Sequence, residues 1–526
     1  MKSLLKNSPT KSCPLDPIPT WLLKICMDQL LPVITEIINC SLACGTFPSK
    51  LKQALVIPLL KKADLDHEEF KSYRPVSNLE FLSKTVDRAY CSILVEHLGL
   101  NGLLGKFQSA YRKSHSTETA LTRVINDILR AVDKDGGAIL ILLDLSAAFD
   151  TIDHDKLLHL LETSFGVTGL ALLWVKSYLT ERSQTVKIGE AISEVLNLLF
   201  GVPQGSVLGP VLFIIYTTPL SGIISHHELD HHLYADDTQL YLAFKPKSEV
   251  SIEQAVSRAE ACVEDIRLWM QANLLKLNDD KTELIVISPK SSSFAKPVSV
   301  SIGGHEILPD REDIDPPRNL GVLCDSQLSF EHHVNKVCKA INYNLYSIGK
   351  IRKLISQSDT EKLVNALATS SLDYCNSVLF GSTSKVIDRL QRSQNHAARI
   401  ITGTRKYDHI TPALKKLHWL PVRQRINFKI LLLTFKALNG LAPTYLKDII
   451  SPYVNKRGNL RSETRHLLEL PKVKARFGER SFSFAAPRLW NPLPPVIKNS
   501  ASIDIFKRSL KTFLFDKPDY PPPILK

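Results

Sequence analysis

The sequence predicts an α+β fold in which helices back a sheet built around an antiparallel hairpin. Two observations carry this. Short apolar runs, Leu233-Tyr234 and Leu240-Tyr241-Leu242, flank Ala235-Asp236-Asp237 in the pattern of two strands joined by a tight turn. On either side, strand-like runs alternate with segments of helical apolar period.

In chain order, Trp21 to Leu42 is amphipathic and is closed by Gly45 and Pro48, residues that stop helices. Ala54 to Leu60 reads as a strand. Asn78 to Leu98 and Ser116 to Val132 carry helical periodicity. Gly136-Gly137 turns into the apolar run Ala138 to Leu143, a buried strand that ends in Asp144. Asp155 to Leu179 again reads as helix, and Leu208 to Leu220, apolar on nearly every side, predicts a buried one. The hairpin follows, then a helix from Ile252 to Ala272 and a strand from Glu283 to Ile287. Ser288 to Ser299, rich in Ser, Lys and Pro, reads as an exposed loop or linker. Beyond Phe330 the pattern is mostly helical: Val334 to Leu354, Asp359 to Ser371, Lys385 to Ile401, and a basic helix stopped by Asn439-Gly440.

With 526 residues the chain is long enough for about two to four domains with sizeable cores. Its charge is unevenly placed. The net charge is +13, yet residues 331–526 hold 34 Lys and Arg against 13 Asp and Glu, a balance of +21 that leaves −8 for the rest. A basic excess at one end suggests a polyanion partner, although alone it reads equally as a solvated basic face. The nine cysteines form no Cys-x₂-Cys pair, which argues against a zinc ribbon or knuckle. No run of about 18 uncharged apolar residues occurs, so no transmembrane helix is predicted.

The chemistry concentrates in carboxylates. Asp236 and Asp237 sit at a hairpin tip, where like charges repel unless a cation neutralises them. Asp144 ends a buried strand and supplies a third. A carboxylate-tipped strand plus a carboxylate hairpin is the equipment of a two-Mg²⁺ nucleotidyl-transfer site. An aromatic-x-Asp-Asp tetrapeptide alone is most often a solvated turn; the ordered set around it is more specific. Asp144 is followed by Leu145-Ser146-Ala147-Ala148-Phe149-Asp150, then by Gly201-Val202-Pro203-Gln204-Gly205-Ser206-Val207-Leu208-Gly209-Pro210. After the hairpin come Lys276-Leu277-Asn278-Asp279-Asp280-Lys281-Thr282-Glu283 and Asn319-Leu320-Gly321-Val322. Upstream lie Tyr73-Arg74-Pro75-Val76-Ser77 and Gln108-Ser109-Ala110-Tyr111-Arg112.

In identity, order and spacing, from about Leu15 to about Phe515, these motifs resemble the reverse transcriptases of non-LTR (LINE-type) retrotransposons, especially the jockey-like branch. The resemblance implies a right-hand polymerase. An N-terminal extension (1–50) would precede fingers (51–135) and a palm whose antiparallel sheet is backed by helices (136–290). A connection and helical thumb (291–405) and a mostly helical, basic C-terminal region (406–526) would follow. It implies an RNA-directed DNA polymerase that takes an RNA template, a DNA primer and dNTPs, uses Mg²⁺ with Mn²⁺ as a substitute, and works inside the cell, in nucleus or cytoplasm, without a membrane partner. Oligomeric state and template specificity stay open. Elements of this type normally carry an N-terminal endonuclease; here the chain opens almost at the polymerase, so endonuclease activity is not expected. Asp87 departs from the pattern by standing where Glu belongs after Lys84.

Residue roles follow by matching position. Asp144 and Asp236 are the expected metal ligands, with Asp237 completing the catalytic set in a supporting part; the bland reading of Asp144 is a helix cap. Phe149 would exclude the ribose 2′-hydroxyl, or else be an ordinary core residue. Gln204 and Gly205 would contact the templating base or minor groove, or form a structural turn. Arg112 and Lys62 are candidates for the triphosphate. Lys281 resembles a lysine that protonates pyrophosphate, and reads equally as a solvated side chain. His226-His227 and His231-His232 are expected to flank the loop entering the hairpin as a titratable patch, with no metal assigned. Trp419, Trp490 and Tyr374 are expected to stack on nucleic acid or to anchor the C-terminal region. The alternative function is an idle or host-adopted copy that binds nucleic acid without polymerising; retention of Asp144, Asp236 and Phe149 favours the enzyme.

Overall fold

The computed structural model describes residues 1–62, 64–146, 149–309, 316–453 and 467–521. Strands that bear on the site are, in chain order, β1 (Gln53–Leu60), β2 (Tyr73–Asn78), β3 (Gly137–Leu143), β4 (Leu145–Ser146), β5 (Arg182–Ile188), β6 (Ala191–Ile192), β7 (Leu196–Leu198), β8 (Asp230–Tyr234), β9 (Asp237–Phe244), β10 (Lys276–Leu277) and β11 (Glu283–Ile287). The chain divides into two units, each assembled from separate stretches. One comprises Met1–Tyr111, Asp144–His226 and Val263–Asn278; the other comprises Arg112–Leu143, His227–Cys262 and Asp279–Lys526.

The first unit holds a sheet in the order β2-β1-β5-β6, with β7 also on β5. β1 and β2 are antiparallel, and Pro58 faces Pro75 in their ladder. Neither proline breaks the sheet: β2 is an edge strand, and the parallel pairing of β1 with β5 ends at Val56, before Pro58 would need a donor there. In the same unit an aromatic stack knits the helices Phe81–Leu100 and Gly169–Leu179. Tyr90 lies on Trp174 at 4.0 Å between ring centres, and Phe47 meets the edges of both Trp174 and Tyr178. The stretch expected as one helix from Asp155 to Leu179 is two, His154–Thr163 and Gly169–Leu179. Gly166 takes a left-handed φ of 64° and the Val167 N–H folds back onto the Leu161 carbonyl, which ends the first helix despite the continuing apolar period.

The second unit holds the sheet predicted around the hairpin, in the order β11-β3-β9-β8, antiparallel throughout. β3 is central and buried at all seven positions, which is why its sequence is a continuous apolar run rather than an alternation. One face presents Ala138, Leu140 and Leu142 with Tyr241 and Ile285 to the helix Thr117–Asp135, through Leu121, Ile125 and Ile128. That helix opens with a reciprocal cap between Ser116 and Thr119, a device worth about 1 kcal/mol. The same core runs on into the C-terminal helices, through Val334, Ile341 and Leu345 of Glu331–Ile351, Leu390 and Ala397 of Ser384–Thr402, and Ile426 of Val422–Leu438. Trp419 and Trp490 belong to the interior, 6% and 2% exposed, so neither offers a ring for stacking on bases. Tyr374 does anchor: its hydroxyl donates to the Leu320 carbonyl at 2.7 Å. No helix among the described residues is long and apolar enough to cross a membrane.

Candidate active site

The β8–β9 hairpin closes on the pair Tyr234↔Asp237, leaving Ala235 and Asp236 as a two-residue turn. Such turns match strand twist only with a positive φ in the loop, usually supplied by glycine or asparagine. Here Ala235 takes it, at 56°. A non-glycine residue in this region costs on the order of 1–3 kcal/mol, strain of the kind that collects at functional sites. Asp236 is half-buried in the turn, and Asp237 is exposed at the head of β9. The next pair of the hairpin is Leu233↔Thr238, and Thr238 pairs on its other side with Leu143, the last residue of β3. Asp144 is bonded directly to Leu143.

In the first unit, the backbone of Asp144 is held from its other side. The Asn278 N–H donates to the Asp144 carbonyl at 2.9 Å, beside the short β4–β10 ladder of Leu145↔Leu277. Two more of the quoted motifs are joined to the Asp144 stretch there. Gly201 and Val202 donate to the carbonyls of Ile152 and Phe149, each at 2.8 Å. A Cβ on Gly201 would lie 2.6 Å from the Asp150 carbonyl, so no larger residue fits. The Phe149 ring packs on Phe213 with centres 5.0 Å apart. The Ser77 N–H donates to the Gln204 carbonyl at 2.8 Å, and Gly205, at φ 126°, comes so near Ser77 that a Cβ would meet its carbonyl at 2.6 Å. Gln204 and Gly205 are therefore tied to β2, with Gln204 half-buried.

Asp87, read from sequence only as a departure, turns out to organise this loop. Its carboxylate accepts from the Val207 N–H at 2.7 Å and the Leu208 N–H at 3.0 Å. Burial pushes its pKa up to about 6, against the pull of those two donors and of Arg182 and Arg88. Lys62 is exposed just past β1.

In the second unit, Lys281 is exposed in the turn Asp279–Lys281 that leads into β11, the strand paired to β3. Arg112 is half-buried, and burial lowers its pKa while Tyr445 opposes the shift. The histidine expectation needs correction. His231 and His232 lie inside β8, 5% and 0% exposed, and burial pushes them down to about 4 and about 3. They are neutral interior residues at neutral pH and form no titratable patch. The motif Asn319-Leu320-Gly321-Val322 supports the hairpin from behind: the Asn319 side chain donates to the Gln239 side chain at 2.9 Å, both buried, two residues along β9 from Asp237. Among the described residues, no three His, Cys, Asp or Glu side chains form a group that could by itself hold a metal ion.

Comparison with known proteins gives the class. The reverse transcriptase (RNA-dependent DNA polymerase) family model matches residues 60–322, half of the chain, and spans the hairpin and every motif from Tyr73 to Val322. The chain belongs to this family. Its relatives are mobile-element proteins. It is 28% identical over 346 residues to the RNA-directed DNA polymerase from mobile element jockey of Drosophila melanogaster, covering 65% of this chain and 36% of that protein. It is 27% identical over 436 residues to the probable RNA-directed DNA polymerase from transposon BS of the same species, covering 80% and 46%. The chain thus spans less than half the length of these relatives. Among solved structures, a telomerase from Candida albicans in complex with a fragment of telomeric RNA is similar at a TM-score of 0.36 and 15% identity, over 73% of this chain and 65% of that one.

Proposed function

We propose that this chain is the RNA-directed DNA polymerase of a non-LTR retrotransposon, joining dNTPs to a primer 3′-hydroxyl on an RNA template. The observation that carries the reading is the ladder pair Leu143↔Thr238. It ties the strand to which Asp144 is bonded to the strand that begins at Asp237. Residues 51–135 would act as fingers, 136–290 as palm and 291–405 as connection and helical thumb.

The family works with divalent cations, and the donor set here fits Mg²⁺. Mg²⁺ takes hard oxygen ligands, and in phosphoryl-transfer sites it is held by one or two carboxylates with water and substrate phosphates completing the shell. Asp144 and Asp236 would be those carboxylates, with Asp237 in support, and a complete protein cage is not required. Two such ions held by Asp144 and Asp236 would supply Lewis acidity toward the primer hydroxyl and positive charge for the triphosphate. The remaining work falls to this chain's own side chains. Phe149, fixed by the Gly201 loop and by Phe213, excludes a 2′-hydroxyl. Gln204 and Gly205 present backbone and amide to the template–primer pair. Arg112 and Lys62 supply positive charge for the triphosphate, and Lys281 supplies a proton to departing pyrophosphate.

Primer extension by the purified chain on an RNA template, with dNTPs and Mg²⁺, tests this directly. Incorporation is expected. A folded protein that binds RNA but never extends a primer would sink the reading and leave a nucleic-acid-binding protein.

A further inference from the structure

A cavity of about 230 Å³ opens in the second unit, among residues that the polymerase reading does not use. Its lining includes Ser382, Arg423, Arg476, Glu479, Arg480 and Arg488. Four guanidinium groups thus meet one carboxylate in the lining, and the Asp325 carboxylate acts on Arg480 from beyond it. They come from three helices: Arg423 from Val422–Leu438, Arg476 and Arg480 from Arg476–Arg480, and Arg488 from Phe482–Trp490.

Two partly buried cations elsewhere on Val422–Leu438 are neutralised. Arg425 makes a forked pair with Asp373, at 2.9 and 2.5 Å, and Lys429 meets Glu118 at 2.9 Å. Among the described residues, none of the four cavity arginines is in an ion pair. Arg480 is seated by the main chain instead. Its Nη groups donate to the carbonyls of Gln327 and Leu328, and its guanidinium lies 5.8 Å from the ring centre of Phe330. Gly381 lets it pass: a Cβ there would meet Arg480 Cγ at 2.6 Å. This leaves Arg480 Nε buried without a hydrogen-bond partner, and Ser382 Oγ, on the same cavity wall, is buried without one too. Two buried donors without a hydrogen-bond partner and three further arginines line one concavity, a donor set whose charge and geometry suit an anion.

We propose that this cavity receives a backbone phosphate of a nucleic-acid strand, at a subsite formed by Arg423, Arg476, Arg480, Arg488 and Ser382. Guanidinium forks match phosphate oxygens in geometry, and Arg480 Nε and Ser382 Oγ are the donors a second and third phosphate oxygen require. A strand is favoured over a small anion because the cavity sits in the part of the chain with a +21 balance. That field continues to attract phosphates on either side of the one held. The site does not depend on polymerase activity and is testable on an inactive protein.

The test uses the full chain and a short fluorescein-labelled single-stranded RNA, followed by anisotropy across a salt series. The double variant Arg423→Gln/Arg476→Gln changes two exposed side chains and leaves Arg480 in its seat. Its affinity is expected to fall by about tenfold or more, and the log–log salt slope to shrink by about 1.4, two contacts at roughly 0.7 each on a single strand. The charge-matched control Lys406→Gln/Lys415→Gln, also exposed, is expected to change far less. Equal losses in both would reduce the effect to bulk charge and overturn the proposal, as would no loss in either. A readout on the unaltered chain removes any dependence on how the variants fold. Saturating RNA is expected to protect Arg423, Arg476 and Arg488 from phenylglyoxal, followed by mass spectrometry. Unchanged modification rates would overturn the site. So would protection by polyglutamate or inorganic phosphate but not by RNA, which would assign the cavity to an acidic peptide or a free anion.

Discussion

The Asn278 N–H donates to the Asp144 carbonyl at 2.9 Å, so the backbone of the proposed catalytic aspartate is held by a motif more than 130 residues away in the sequence. On its other side Asp144 follows Leu143, fixed in the ladder with Thr238. Removing the donor without removing the carboxylate isolates this positioning. Asn278→Pro, which lacks the N–H, is expected to slow dNTP incorporation by about tenfold, roughly 1.4 kcal/mol of barrier. Asn278→Ala keeps the N–H and should lose less. Equal losses from the two would mean the bond does not position Asp144.

Asp236→Ala and Asp144→Asn are each expected to lower incorporation about a thousandfold or more, some 4 kcal/mol. RNA affinity, measured in the same buffer, should change little, because the role proposed for these carboxylates lies in the reaction rather than in template binding. A mutant that extends primers at the wild-type rate would show the site to be misassigned.

Phe149→Val is expected to raise incorporation of rNTPs relative to dNTPs, since the smaller side chain opens space next to the sugar. Phe213, on which Phe149 packs at 5.0 Å, should keep the local backbone in place. An unchanged ratio would make Phe149 a packing residue only.

Acid should act oppositely on the two units. Folded His231 and His232 titrate near 4 and 3, against 6.5 when exposed, chiefly through burial; for His232, His231, Arg123, His115 and Arg112 add to the shift. The unfolded chain therefore binds protons below about pH 6.5 that the folded chain refuses. The stability of the second unit is full above that pH and falls below it, by roughly 2–3 kcal/mol per histidine at pH 4.5. Asp87 has its pKa raised to about 6 from 3.8, so the folded first unit holds a proton that the unfolded chain releases, and it gains stability as pH falls from 6 towards 4. Hydrogen exchange, corrected for intrinsic rates, should show protection lost in β8 and β9 between pH 7 and 4.5 and retained at Val207 and Leu208. Parallel loss in both places would contradict the assignment.

Tyr374→Phe removes the hydroxyl that donates to Leu320 beside Gly321. A cost of about 1 kcal/mol is expected in urea denaturation of the second unit. No change would mean that water replaces this bond.

The carboxylates of the proposed site are legible in the sequence because metal-dependent chemistry leaves residue types behind. A carboxylate at the end of an apolar run, and two more between apolar pairs, are visible without a structure. The supports were not legible, because their meaning depends on partners distant in sequence. Asp87 sits in a helix, and nothing near it announces two N–H donors at Val207 and Leu208. β5 carries no clear strand signature, since Arg182-Ser183-Gln184-Thr185 is polar throughout; Arg182 is nonetheless buried, its charge resting on the rings of Tyr178 and Phe47. His231 and His232 read as polar for the same reason, although β8 buries both. The four arginines of the cavity are scattered from residue 423 to 488 and converge only through helix packing.

The position of β3 at the centre of its sheet sets a timetable for synthesis. All seven residues of this strand end up buried, but its partner β9 follows roughly a hundred residues later and β11 later still. At about 5–20 residues per second on the ribosome, an apolar, uncharged segment waits some 5–20 seconds or more with both edges open. Such a segment is the kind that pairs with strangers. The chain's yield in a cell should therefore depend less on the stability of the finished molecule than on what shields residues 137–143 during that interval.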